Sequence, residues 1–144
     1  MASHAFKNLD EVMSYLEKTI NTALDEMADE AIAWVQDEIQ QTVYATYAPK
    51  EYIRKGENGG LTDPQNIMTN VNDKQLTIAS IRMDDGKNVS YTVHSGSGYD
   101  YPVPERLLEG RPFITVLKEK MMRDKRHVNS MKKSLKRAGF EILK

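Results

Sequence analysis

The stretch LDEVMSYLEKTINTALDEMADEAIAWVQDEIQQTVY, residues 9–44, decides the fold. Its apolar side chains at Leu9, Val12, Met13, Leu16, Ile20, Leu24, Met27, Ala31, Trp34, Val35, Ile39 and Val43 recur every three or four residues. That is the period of one face of an α-helix, and Asp, Glu, Gln and Asn fill the other face. Asn8 is placed to cap the start, with Glu11 as the returning half of a capping box. No Gly or Pro interrupts the run before Pro49. A continuous helix of this length measures on the order of 50 Å, wider than a small domain. Either it breaks once, where Asn21-Thr22 is best suited to cap a second helix, or it projects to meet something else.

Downstream, residues 45–65 form a connection rich in Gly, Pro, Tyr and charge. Pro49 stops the helix, and Gly56, Gly59 and Gly60 erase any period. A segment this long without an element of its own is functional or disordered, and its tyrosines argue against disorder. Residues 66–94 read as a β-hairpin sheet. Leu76 and Ile78 are out of phase with Ile81 and Met83, which predicts either a bulge near Ala79-Ser80 or burial on both faces. Asp84-Asp85-Gly86-Lys87 is a hairpin turn. Residues 88–94 then alternate, with Val89, Tyr91 and Val93 inward.

A second irregular segment, residues 95–110, precedes a helical region over 111–138. Pro112 sits in its first turn, and Phe113, Val116, Leu117, Lys120 and Met121 trace a short stripe. A second helical piece begins near Asn129, and Gly139 reads as its cap. Residues 139–144 alternate and suggest an edge strand, while residues 1–7 read as an arm. The expectation is a single α+β domain: a long amphipathic helix on a small antiparallel sheet, with a C-terminal helix or helix pair.

Composition narrows the function. With 40% hydrophobic residues the core is modest. No apolar run approaches the roughly 20 residues of a membrane span, and no signal peptide is evident, so a soluble intracellular product is expected. Cysteine is absent, which excludes disulfides and thiolate ligands. The net charge of −1 hides a segregation: residues 1–40 carry −7 and residues 118–137 carry +7. Such ends can fold against each other, pair head to tail between copies, or leave the basic end for nucleic acid. Asp25, Glu26, Asp29 and Glu30 on one side, with Lys132, Lys133, Lys136 and Arg137 on the other, are the candidate charge-pairing faces.

Chemistry is not signalled. His4, His94 and His127 are scattered without metal-ligand spacing. The helix carboxylates have the spacing of a solvated face rather than a tuned acid–base pair. Gly59-Gly60 and Gly96-Ser97-Gly98 are too short to cradle a phosphate. No catalytic, cofactor or metal site is expected, and the reading is non-enzymatic. The two Tyr-rich segments either cap the sheet within one subunit or form an interface.

The order of segments carries a resemblance. The helix leads into Tyr47-x-Pro49-x-x-Tyr52-x-Arg54, then Gly60-Leu61-x-Asp63 and Asn66-Ile67. A hairpin follows, then Gly98-Tyr99-x-Tyr101-Pro102, then Arg111-Pro112-Phe113 opening a helix. This resembles the tail-completion or neck proteins, head–tail connectors of long-tailed double-stranded DNA bacteriophages. One departure stands out: the family has Arg-Thr-Gly-x-Leu, whereas here Glu57, Asn58, Gly59 and Gly60 separate Gly56 from Leu61. The resemblance implies a structural virion protein, made in the host cytoplasm, that forms a homo-oligomeric ring of six- or twelve-fold symmetry. Its partners would be the portal-side adaptor and the tail tube or tail terminator, with at most non-specific contact with genomic DNA and none with a membrane. Contact residues would be Tyr47, Tyr52, Arg54, Leu61, Tyr99, Tyr101, Arg111 and Phe113. The alternative is a small nucleic-acid-binding protein that uses its basic C-terminal segment.

Overall fold

The computed structural model describes residues 5–46, 56, 58–99 and 102–143. Its spine is helix α1, Leu9–Ile39, continued by a π-helical turn, Gln40–Tyr44. Asn8 Oδ1 accepts from the Glu11 N–H at 3.0 Å, and Glu11 returns to the Lys7 N–H at 2.9 Å. The box therefore closes one residue before the cap. There is no break at Asn21. Its Oδ1 instead accepts from the Lys74 N–H at 3.0 Å, so a residue suited to ending a helix anchors a hairpin turn.

That hairpin is β1 (Ile67–Asn72) against β2 (Gln75–Ser80), antiparallel, with Ile67 opposite Ser80. Asp73 and Lys74 make the turn with φ of 45° and 63°. Two successive left-handed residues form the type I′ turn that matches strand twist. The strand ends at Ser80, so Ile81 and Met83 are exposed residues of a separate segment and no bulged strand forms. A short ladder, β3 (Met83–Asp84) with β4 (Lys87–Asn88), closes over Asp85-Gly86 where the turn was expected.

Residues 88–94, expected as a strand, instead form helix α2, Val89–Ser95. Local devices override the strand-like alternation. Asn88 Oδ1 caps the Tyr91 N–H at 2.9 Å, and Gly96 at φ 77° ends the helix. Val89 and Val93, four apart, then both reach the core.

Helices α3 (Glu105–Leu108), α4 (Phe113–Asp124) and α5 (Arg126–Arg137) complete the chain. The joint between α4 and α5 is Lys125 at φ 59°, so the last helix starts three residues before Asn129. Gly139 closes α5: its N–H bonds to Lys136 O and the Phe140 N–H to Leu135 O, both at 3.0 Å. No edge strand forms over 140–143, because the Phe140 ring stacks on Tyr15 at 5.8 Å instead. Lys120 meets Glu38, Arg126 lies over Trp34, Arg137 meets Glu26 and Phe140 meets Tyr15. The α4–α5 pair therefore runs antiparallel along α1, which also carries the hairpin. Val35, Ile39, Val43, Leu61, Ile67, Val93, Phe113 and Leu117 form the core of this α+β fold.

Candidate interaction surfaces

The expected contact residues divide sharply. Tyr47, Tyr52, Arg54 and Tyr101 lie outside the described residues. Leu61 and Phe113 are 3% and 1% exposed, so the chain's own core already covers them. Arg111 and Tyr99 come together: Arg111 Nη2 donates to Tyr99 Oη at 3.0 Å and Nη1 to Val43 O at 3.3 Å. The Arg111 N–H also donates to Val93 O at 2.8 Å. Arg111 thus braces the π-helical turn, α2 and the Gly98-Tyr99 loop against one another.

Around this brace two loops cross. Gly96 and Gly110 both have positive φ, and a Cβ on Gly96 would strike Gly110 N and Leu108 O. A cleft of about 550 Å³ opens beside them, lined by Gly96, Ser97, Tyr99, Pro102, Val103 and Leu108. Among the described residues it brings no charged side chains together. No group of three or more metal-ligating side chains exists among the described residues, and no helix there is long and apolar enough to cross a membrane.

The charge-pairing faces are partly used within the chain. Arg137 Nη2 and Ser134 Oγ both reach Glu26 Oε2 at 2.5 Å. Asp25, Asp29 and Glu30 on α1, and Lys132, Lys133 and Lys136 on α5, remain exposed. A second ion pair escaped the sequence reading. Glu38 is 3% exposed and bonds Lys120 Nζ at 2.9 Å, while Thr42 Oγ1 donates to it at 2.5 Å. Its signal was periodicity: Glu38 follows Ala31 by seven and Val35 by three, on the buried arc, and Lys120 sits in the α4 stripe. At the α4–α5 joint, hydrogen bonds from Arg126 hold the Asp124 carboxyl down to about 2.

Among the described residues, the start of α1 and a groove between β2 and α4 are apolar surfaces open to solvent. The hairpin turn reaches back along α1 only to Asn21 and Glu17. The end of α5 reaches Tyr15, whose hydroxyl donates to Ala138 O at 3.2 Å. Beyond those points Leu9, Val12 and Met13 are 72%, 37% and 47% exposed. Helical spacing puts them on the same face as Leu16, Ile20 and Met27, so the core stripe runs on into solvent. The second surface is a groove of about 170 Å³ between β2 and α4, lined by Ile78, Ile114, Leu117, Met121, Met122 and His127.

A sequence profile of the YomN family matches residues 8–137, from the helix cap to the end of α5. The chain belongs to the YomN family. Over 108 residues it is 33% identical to the SPbeta prophage-derived uncharacterized protein YomN of Bacillus subtilis (strain 168), spanning 74% of this chain and 73% of that protein. Membership of the YomN family, with this prophage relative, makes the chain phage-derived. No solved structure matches it.

Proposed function

We propose that this YomN-family chain is a non-enzymatic structural protein of the phage particle that assembles with copies of itself into a ring at the head–tail junction. The observation that carries the reading is the bare apolar stripe at Leu9, Val12 and Met13 on a rigid projecting helix. Aliphatic side chains aligned in this way mark a surface that a partner covers. The prophage relative supports the phage setting. The junction itself rests on the motif order from Tyr47 to Phe113. A ring repeats one heterologous contact, in which two different patches of the subunit meet. The portal-side adaptor and the tail tube or terminator are then its neighbours above and below. Passing DNA makes only sparse, non-specific contact, since the genome slides through.

Light scattering on the purified chain, alone and with the adaptor and tail-tube proteins of its own phage, tests this. Multiples of the monomer mass are expected. A strict monomer with affinity for neither neighbour overturns the proposal. The second reading, nucleic-acid binding, draws on the exposed Lys132, Lys133 and Lys136 of α5. It requires duplex or single-strand binding that falls steeply with salt and is lost when those lysines become Glu.

A further inference from the structure

The projecting start of α1 and the groove between β2 and α4 are complementary, and they lie far apart on one molecule. Lys120 of α4 is tied to Glu38, which fixes α4 beside the C-terminal part of α1. Met13 lies 25 residues earlier on the same unbroken helix, about 38 Å away along its axis. A rigid helix does not fold back over that distance, so the start of α1 can reach this groove only on another molecule.

The chemistry of the two surfaces matches. The stripe offers Leu9, Val12 and Met13, flanked by the exposed acids Asp10, Glu11 and Glu17. The groove offers an aliphatic floor at Leu117 and a rim containing Met122, which is 57% exposed. Methionine is unbranched and polarizable and adapts to an incoming side chain. Exposed Lys118, Arg123 and Lys125 stand on and just beyond the same helix, opposite in sign to the acids of the stripe.

We propose that the first turns of α1 of one copy dock into the groove between β2 and α4 of the next copy. The proposal rests on the self-assembly part of the function proposed above and supplies its contact. Each copy presents one knob and one groove, so the contact is heterologous and propagates until rotation closes it. Acid against base fixes the polarity of the chain of subunits.

The test uses two exposed positions, Met13→Glu on the knob and Met122→Glu on the groove. Sedimentation velocity follows the wild-type chain, each variant and their equimolar mixture, with circular dichroism confirming that each variant is folded. The wild type is expected to form species larger than dimers, and each variant alone to sediment as a monomer. In the mixture, the intact knob of Met122→Glu meets the intact groove of Met13→Glu and gives a one-to-one dimer that grows no further. Leu9→Glu and Lys118→Glu form a second pair, each weakening assembly by at least about tenfold. A mixture that stays monomeric overturns the contact. So does normal association of Met122→Glu with loss only in Met13→Glu, the pattern of two α1 knobs packing on each other. Wild-type assembly that survives both substitutions removes this contact and leaves self-assembly standing. A wild type that stays monomeric at every concentration removes self-assembly as well.

Discussion

Arg137, the last residue of α5, pairs with Glu26 in the middle of α1 at 2.5 Å, and Ser134 of the preceding turn donates to the same carboxylate oxygen. The segregated charges of the sequence are therefore joined, in part, within one chain. The Arg137 and Glu26 side chains are 60% and 42% exposed, and so exposed a pair contributes about 0.2–1 kcal/mol. Glu26→Ala should lower the free energy of unfolding by an amount in that range. Reversing the exposed Asp25, Asp29 and Glu30 to Lys should leave stability within about 0.5 kcal/mol of wild type, because these side chains sit on the solvent face. Urea titration with tryptophan fluorescence from Trp34 reads both.

The buried Glu38–Lys120 pair behaves differently. Lys120→Met strands a carboxylate that is 3% exposed, at a cost of roughly 3 kcal/mol or more. Thr42 stays hydrogen-bonded to it but brings no charge. Replacing both members, Glu38→Leu with Lys120→Met, should recover most of that loss, because an apolar pair needs no compensating charge. A double-mutant cycle in urea measures the coupling.

Asp124 supplies the pH signature. Hydrogen bonds from the Arg126 side chain are the chief cause of its depressed carboxyl; desolvation opposes them, and the Arg126 N–H adds to them. Its folded value, about 2, lies below the ordinary 3.8. The interaction is thus fully present above pH 3.8 and is lost as pH falls through 2. An NMR titration of the Asp124 carboxyl carbon should give a midpoint near 2, and Arg126→Gln should move it back toward 3.8.

The crossing of the two loops is testable at matched backbone geometry. Gly86 and Gly96 have nearly the same φ, 76° and 77°. A Cβ at Gly86 meets nothing within 4 Å, whereas at Gly96 it strikes the backbone of Leu108 and Gly110. Gly86→Ala should therefore cost about 1–2 kcal/mol from the left-handed conformation alone. Gly96→Ala should cost clearly more, and the difference in melting free energy reports how tightly the loops cross.

How far the sequence reached depends on segment length. Helix α1 was readable because a three-and-four spacing sustained over its whole length has no other geometric meaning. Asp85-Gly86 and Gly139 were readable because each needs a left-handed backbone. Residues 88–94 misled, since Val, Tyr and Val at alternate positions have the period of a strand. Over seven residues the Asn88 cap, the Gly96 stop and the packing of Val89 and Val93 outweigh that period. The Asp73-Lys74 turn lacks a glycine and so left only its Asn-Asp signal. Leu61 and Phe113 looked like contact residues because they stand in motifs, yet burial in the core explains their presence. The bare stripe was hidden for another reason. Leu9 and Leu24 look alike in sequence, and only the points where the hairpin and α5 stop decide which one is covered.

The central claim, a ring-forming structural protein of the phage particle, is tested most directly by quantitative mass spectrometry of purified particles of the phage that encodes the chain. The account predicts the chain in every particle, at a small fixed number of copies set by one ring at the head–tail junction. Abundant chain in the infected cell with none in the particles would contradict it.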